Sequence, residues 1–215
     1  MNDRAIIRPN ATLFDKTIAD VQVSLTKSLK WLNFAFGNVV KLVERNERGK
    51  FVTPSVYFKG NDYLRLEPDD KRGNVCFFYM HDSQDYEGGD SLSGFGDLRG
   101  TVSIIFWFDT RKIPGAEYYN VEFVKSEILR ALTHELYLPS GDIQVRKIFH
   151  DANNVYKEFS IQKTDNQYYV YPYACLRFEC DIHCEEGCFS LPVRYGTDKW
   201  LRQAGLLECH NLRLF

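Results

Sequence analysis

Cys180, His183, Cys184 and Cys188 put three thiols and an imidazole into one short stretch, and these are donor types that hold zinc. Their spacing argues against a metal. The surrounding residues alternate apolar and polar, the pattern of a β-strand whose side chains point to opposite faces in turn. On such a strand Cys180 and Cys184 share the apolar face but lie about 13 Å apart at ~3.3 Å per residue, against ~4 Å for thiolates sharing one zinc. His183 points the other way. The thiols read as small buried hydrophobes, and no metal or other cofactor is expected.

Two other signatures fail on their partners. Gly89-Asp90-Ser91-Leu92 matches the short signature of one class of lipase-like hydrolases. The serine of that class needs a histidine with an acid three residues before it, to orient and charge-balance the imidazole. The residues three before His81, His134, His150, His183 and His210 are Phe78, Ala131, Lys147, Cys180 and Leu207. His134-Glu135 opens like a zinc-protease helix, yet Leu138 stands where the second histidine belongs. Asp82, Asp85, Glu87, Asp90 and Asp97 do not follow calcium-loop spacing. The chain is expected not to be an enzyme.

The elements that would carry these residues follow from periodicity. The stretch 168–184, YYVYPYACLRFECDIHC, is a long strand with Val170, Ala174, Leu176, Phe178, Cys180, Ile182 and Cys184 on one face. Tyr169, Tyr171, Tyr173 and Arg177 stand on the other, and a bend is expected at Pro172. That tyrosine face is covered either by a helix of the same chain or by a neighbouring subunit; tyrosine suits an interface because it brings large area at low entropy cost. Over 12–36, Phe14, Ile18, Val21, Leu25, Leu29, Leu32 and Phe36 recur at helical spacing, and Gly37 follows as a C-cap. Strands are expected at 39–44, 51–58, 63–66, 75–80, 101–109, 143–149 and 155–161. Asn120 is placed to cap a second helix over 121–136, with Val121, Val124, Ile128 and Leu132 inward. The stretch 81–100, with five glycines and five acids, reads as a long flexible loop. The fold class is therefore α+β: a mainly antiparallel sheet with two helices packed on one face. Residues 1–11 read as an N-terminal arm, 12–188 as the core domain, and 189–215 as a C-terminal extension with one short helix at 200–207.

Composition bounds the function class. The 215 residues are 44% hydrophobic and 26% charged with a net charge of −2, enough to bury a real core and with no basic balance that would favour free nucleic-acid binding. Aromatics reach 15%, which suits aromatic-rich interfaces. No apolar run approaches the ~20 residues of a membrane span, and no signal peptide is expected at the N-terminus. The six cysteines are expected to be free thiols.

The helix-first order, the segment Val155-Tyr-Lys-Glu-Phe-Ser and the run from Asp165 through YPYACLRFE to Glu179 resemble ring proteins in the neck and tail of tailed bacteriophages. The resemblance is closest to tail-terminator-like proteins of phages infecting Bacteroidetes, including the crAss-like group, and covers roughly 12–184. It implies a non-enzymatic virion protein that forms a homo-oligomeric ring stacked between neighbouring neck and tail proteins, with the portal as a further partner. DNA would pass through without specific binding. On that reading Tyr169, Tyr171, Tyr173 and Arg177 belong to a subunit interface. Asp82, Asp85, Glu87, Asp90 and Asp97 would face the channel as a negative collar that repels phosphates. Two other readings stay open from the residues: a small hydrolase or metal enzyme using 81–100 or the Cys/His cluster, and a binding domain that takes one partner on its tyrosine face.

Overall fold

Two apolar periods build this fold, one near 3.6 for two helices and one of two for the strands they cover. The computed structural model describes residues 4–46, 49–59, 62–87, 96–136, 138–160 and 169–186. Helix α1 (Phe14–Ser28) buries Phe14, Ile18, Val21 and Leu25. It ends eight residues before the expected end at 36, because Leu29 is extended at φ −90°, ψ 92°. Leu29 and Leu32 stay buried from the turn that follows, so their spacing imitates a helix that has already stopped. Gly37 is no cap; it lies inside strand β2 (Phe34–Asn46).

The N-terminal arm supplies the cap instead. The Arg4 guanidinium donates to the carbonyls of Thr26, Lys30 (3.1 Å) and Leu32 (3.0 Å) at the end of α1, where free carbonyls need donors and a cation is favoured. Ala5–Ile6 (β1) pairs in parallel with Ala35 and Phe36. Gln22 Nε2 donates to Ile6 O at 2.9 Å and Ala35 O at 2.7 Å, tying arm, helix and strand together. Among its described residues the expected exposed arm is thus docked at 4–6 and exposed at 7–10.

The other strands are β3 (Gly49–Lys59), β4 (Asp62–Arg65), β5 (Val75–Glu87), β6 (Gly96–Asp109), β7 (Asp142–Phe149) and β8 (Tyr173–Glu186). The eight form one mixed, mostly antiparallel sheet in the order β4-β3-β2-β5-β6-β8-β7, with β1 beside β2. This is the α+β class read from the sequence. Helix α2 (Val121–Thr133) follows Asn120, whose side chain accepts the Phe123 N–H at 3.1 Å, as its cap residue should. Its Val124, Ile128, Ala131 and Leu132 share one buried cluster with the α1 stripe and with Phe78, Ile104, Phe106, Phe108, Leu176, Phe178, Cys180 and Ile182 of the strands. The opposite face holds a second cluster, in which Phe77, Ile105, Trp107 and Cys175 meet Leu66, Val155 and Tyr156. A short helix α3 (Ala152–Val155) carries Val155 there. A strand was expected over 155–161; among its described residues Val155 ends this helix and 156–160 form no strand, because the Asp151 side chain accepts the Asn154 N–H and starts a helical turn.

The stretch 81–100 is corrected most. Among its described residues it is no loop. Residues 81–87 continue β5 and 96–100 open β6, paired from Gln84↔Gly100 to Glu87↔Asp97. On the far side β6 pairs with β8 along its whole length, ending at Gly96↔Glu186. Strands β2 and β5 pair in parallel only from Phe34↔Val75 to Asn38↔Phe78. Beyond that point each continues with its own partners. A ribbon, β2–β3–β4, and a tongue, β5–β6–β8, therefore run towards the same end of the sheet, the ribbon at the β4 edge and the tongue between the ribbon and the edge strand β7. No helix among the described residues is long and apolar enough to cross a membrane.

Candidate functional site

The long strand begins at Tyr173, after a turn that contains a cis Tyr171-Pro172 peptide, so the tyrosine row does not form. Tyr169 packs edge-on to Tyr156, with ring centres 5.5 Å apart. Tyr171 is exposed beside Tyr119. Tyr173 stacks on Trp107 at 5.2 Å, and its hydroxyl donates to Asp70. The face opposite the helices is covered by this chain itself, and Arg177 is fully buried there.

Arg177 is the centre of a polar cluster at the root of the tongue. Its guanidinium grips Glu158 through both terminal nitrogens, with Nη2 to Oε1 at 2.9 Å, and Nη1 also reaches Val155 O at 3.3 Å. Nη2 lies 3.2 Å from His81 Nε2, which is 2.9 Å from Ser103 Oγ. Glu179 lies 3.7 Å from the same imidazole nitrogen. This is not a nucleophilic triad: serine, arginine and acid all converge on one ring nitrogen, and Ser103 is fully buried. An arginine can only donate, so His81 Nε2 accepts, which assigns the neutral ring with its proton on Nδ1.

Burial, then the Arg177 charge, hold His81 below the ordinary histidine range. Burial works against Glu158, but the hydrogen bonds and charge of Arg177 keep its carboxyl below the usual range. The sign for His81 is clear. The unfolded chain binds a proton that the folded chain resists, so its stabilising share is full above its ordinary value of 6.5 and is lost as pH falls from there to the depressed folded value. Acid titration of stability from pH 7 to 5 is expected to fall less steeply for His81→Gln than for the wild type. Equal slopes would show that His81 titrates as it does unfolded.

Cys180 and Cys184 are both buried in the helix-side cluster, and burial pushes the Cys180 thiol up to about 12. His183 lies on the other face, with Nε2 3.2 Å from Asp97 Oδ1. Asp90, Ser91 and Cys188 lie outside the described residues, as does the extension 189–215. His134 ends α2.

The acids expected in a loop are ordered by register on the tongue. Glu87, Asp97 and Glu185 stand in one row across three strands, and Asp85, Arg99 and His183 stand in the next. Like charges directly opposed destabilise a sheet. Arg99 Nη2 relieves part of this, at 3.2 Å from Asp97 and 3.6 Å from Glu87, while Glu87 stays largely exposed. The outer part of Asp82–Glu87 is exposed throughout.

The ribbon carries a counterpart that sequence reasoning missed. Arg45 and Lys50 stand directly opposite each other across β2 and β3, both exposed, with no ion-pair partner among the described residues. Val43, 48% exposed, lies one pair inward on the same face, opposite Val52. On the other face Val40 and Leu42 are exposed, and β4 adds the exposed Tyr63 against Tyr57. The alternation over 39–44 marked the strand, but only the structure shows that apolar residues on both of its faces are left uncovered.

No family model matches the chain, and no curated protein matches it.

Proposed function

We propose that the chain is a non-enzymatic structural subunit that closes into a homo-oligomeric ring, as in the neck or tail of a tailed bacteriophage, with DNA passing through it unbound. One observation carries the reading. A sheet that buries both faces at its centre leaves Val40, Leu42 and Tyr63 uncovered on one face of its β4 flank. Apolar residues grouped in this way mark an interaction surface. The two flanks of the sheet are unlike, so copies joined flank to flank meet head to tail, and such contacts form a ring when the rotation closes. The neck and tail setting, the stacked ring neighbours and the portal rest on the sequence resemblance.

Native mass spectrometry of the purified chain, with negative-stain imaging, tests the reading. A single closed oligomer with a central hole is the expected result. A chain that stays monomeric at tens of micromolar, alone and with tail components, overturns it.

A further inference from the structure

We infer that the basic, apolar face of the β2–β3 ribbon, formed by Val43, Arg45 and Lys50, docks on the carboxylate-rich β5–β6–β8 tongue of a second copy of this chain. This rests on the ring reading and deepens it by naming the contact.

Three observations point to a second copy. The ribbon opposes two cations, Arg45 and Lys50, and the tongue opposes carboxylates, Glu87 and Asp97, with Glu185 at the next position of the row. Each arrangement is unfavourable alone and is relieved by the other. The ribbon also exposes Val43 beside its cations, so docking removes apolar surface from water as well as pairing charge. Finally, both edge strands stop short of the tips, which run towards the same end: β4 pairs with β3 only from Ser55↔Arg65 to Lys59↔Asp62, and β7 pairs with β8 only as far as Asp142↔His183, so among the described residues the ribbon tip is left unpaired on the β4 side of the sheet and the last row of the tongue on the β7 side. Copies set side by side in one orientation then bring a ribbon against a tongue at every junction. The tongue acids are thus engaged between subunits rather than lining a channel.

The test exchanges the charges. Arg45→Glu/Lys50→Glu makes both tips acidic, and Asp85→Lys/Glu87→Lys makes both basic while sparing Asp97 and its contacts with His183 and Arg99. Circular dichroism and melting check that each variant folds. Each alone is expected to associate at least about tenfold more weakly than the wild type, a loss that salt also produces. Mixed one to one, they should co-assemble with alternating subunits, and the quadruple variant should assemble by itself.

Wild-type rings unchanged by either pair of substitutions would overturn this inference and leave the ring reading standing. Charge-dependent pairing that stops at dimers would uphold the contact and overturn the ring. No association of the wild type or of the mixture at low salt would overturn both. Duplex DNA binding lost with Arg45→Glu/Lys50→Glu, with oligomer size unaffected, would reassign the basic tip to nucleic acid and overturn the inference.

Discussion

Replacing Arg177 with alanine is expected to cost about 3–5 kcal/mol of folding stability, a large part of what a domain of this size has. The side chain is fully buried on a strand paired on both sides, and its charge is answered by Glu158, which is itself only 13% exposed. Truncation removes a forked pair of hydrogen bonds and leaves a carboxylate with little water to replace them. It also takes a donor from His81 Nε2 and from the Val155 carbonyl, which anchors the α3 segment over the second core. The pair itself need not be net stabilising, because desolvating two ions costs about what their attraction returns. Arg177→Met/Glu158→Leu should therefore recover most of the loss. Arg177→Lys should not, since a lysine gives one point of charge and no planar fork. Urea unfolding checks all three, with an unchanged slope showing that midpoint shifts report stability. A loss below about 1 kcal/mol for Arg177→Ala would show a solvated pair of surface strength.

Arg177 also marks where the sequence stops being readable. Its parity on the strand is plain, since it alternates with Leu176 and Phe178, and parity alone put it on a polar face with the tyrosines. That the face is a second core depends on Leu66, Val155 and Tyr156 arriving from distant parts of the chain. The same limit explains the tongue. Glycines and acids over 81–100 resemble a loop because local chemistry favours one, but long-range pairing with β8 satisfies the backbone. The end of α1 is hidden for the opposite reason: Leu29 and Leu32 keep the helical period while packing from a turn, and the capping donor, Arg4, lies far away in sequence. By contrast, the Asn120 cap, the α2 stripe and the alternation of β6 and β8 depend only on neighbours, and all stand in the structure. The opposed charges of the two tips are pair properties. Arg45 with Lys50, and Glu87 with Asp97, become visible only once register is known.

The alternation on β8 makes its own prediction, because it assigns large and small effects to residues three apart. Phe178 is fully buried against Phe106, with ring centres 5.8 Å apart and planes at 80°, the edge-to-face geometry that aromatic pairs favour. Phe178→Ala is expected to cost about 3–5 kcal/mol, combining lost transfer energy with a cavity that close-packed neighbours cannot fill. Asp181 points to the other face, half exposed, and pairs with Arg146 in water. Asp181→Ala should change stability by no more than about 0.5–1 kcal/mol. The aromatic contact is better isolated with leucines, since two alanines together risk unfolding the domain. A cycle of Phe106→Leu and Phe178→Leu should show a coupling of about 0.5–1.5 kcal/mol. A small loss at Phe178 with a large one at Asp181 would mean that β8 is shifted by one residue, which would turn every side chain of the strand to the opposite face and remove the rows of charge on which the subunit contact depends.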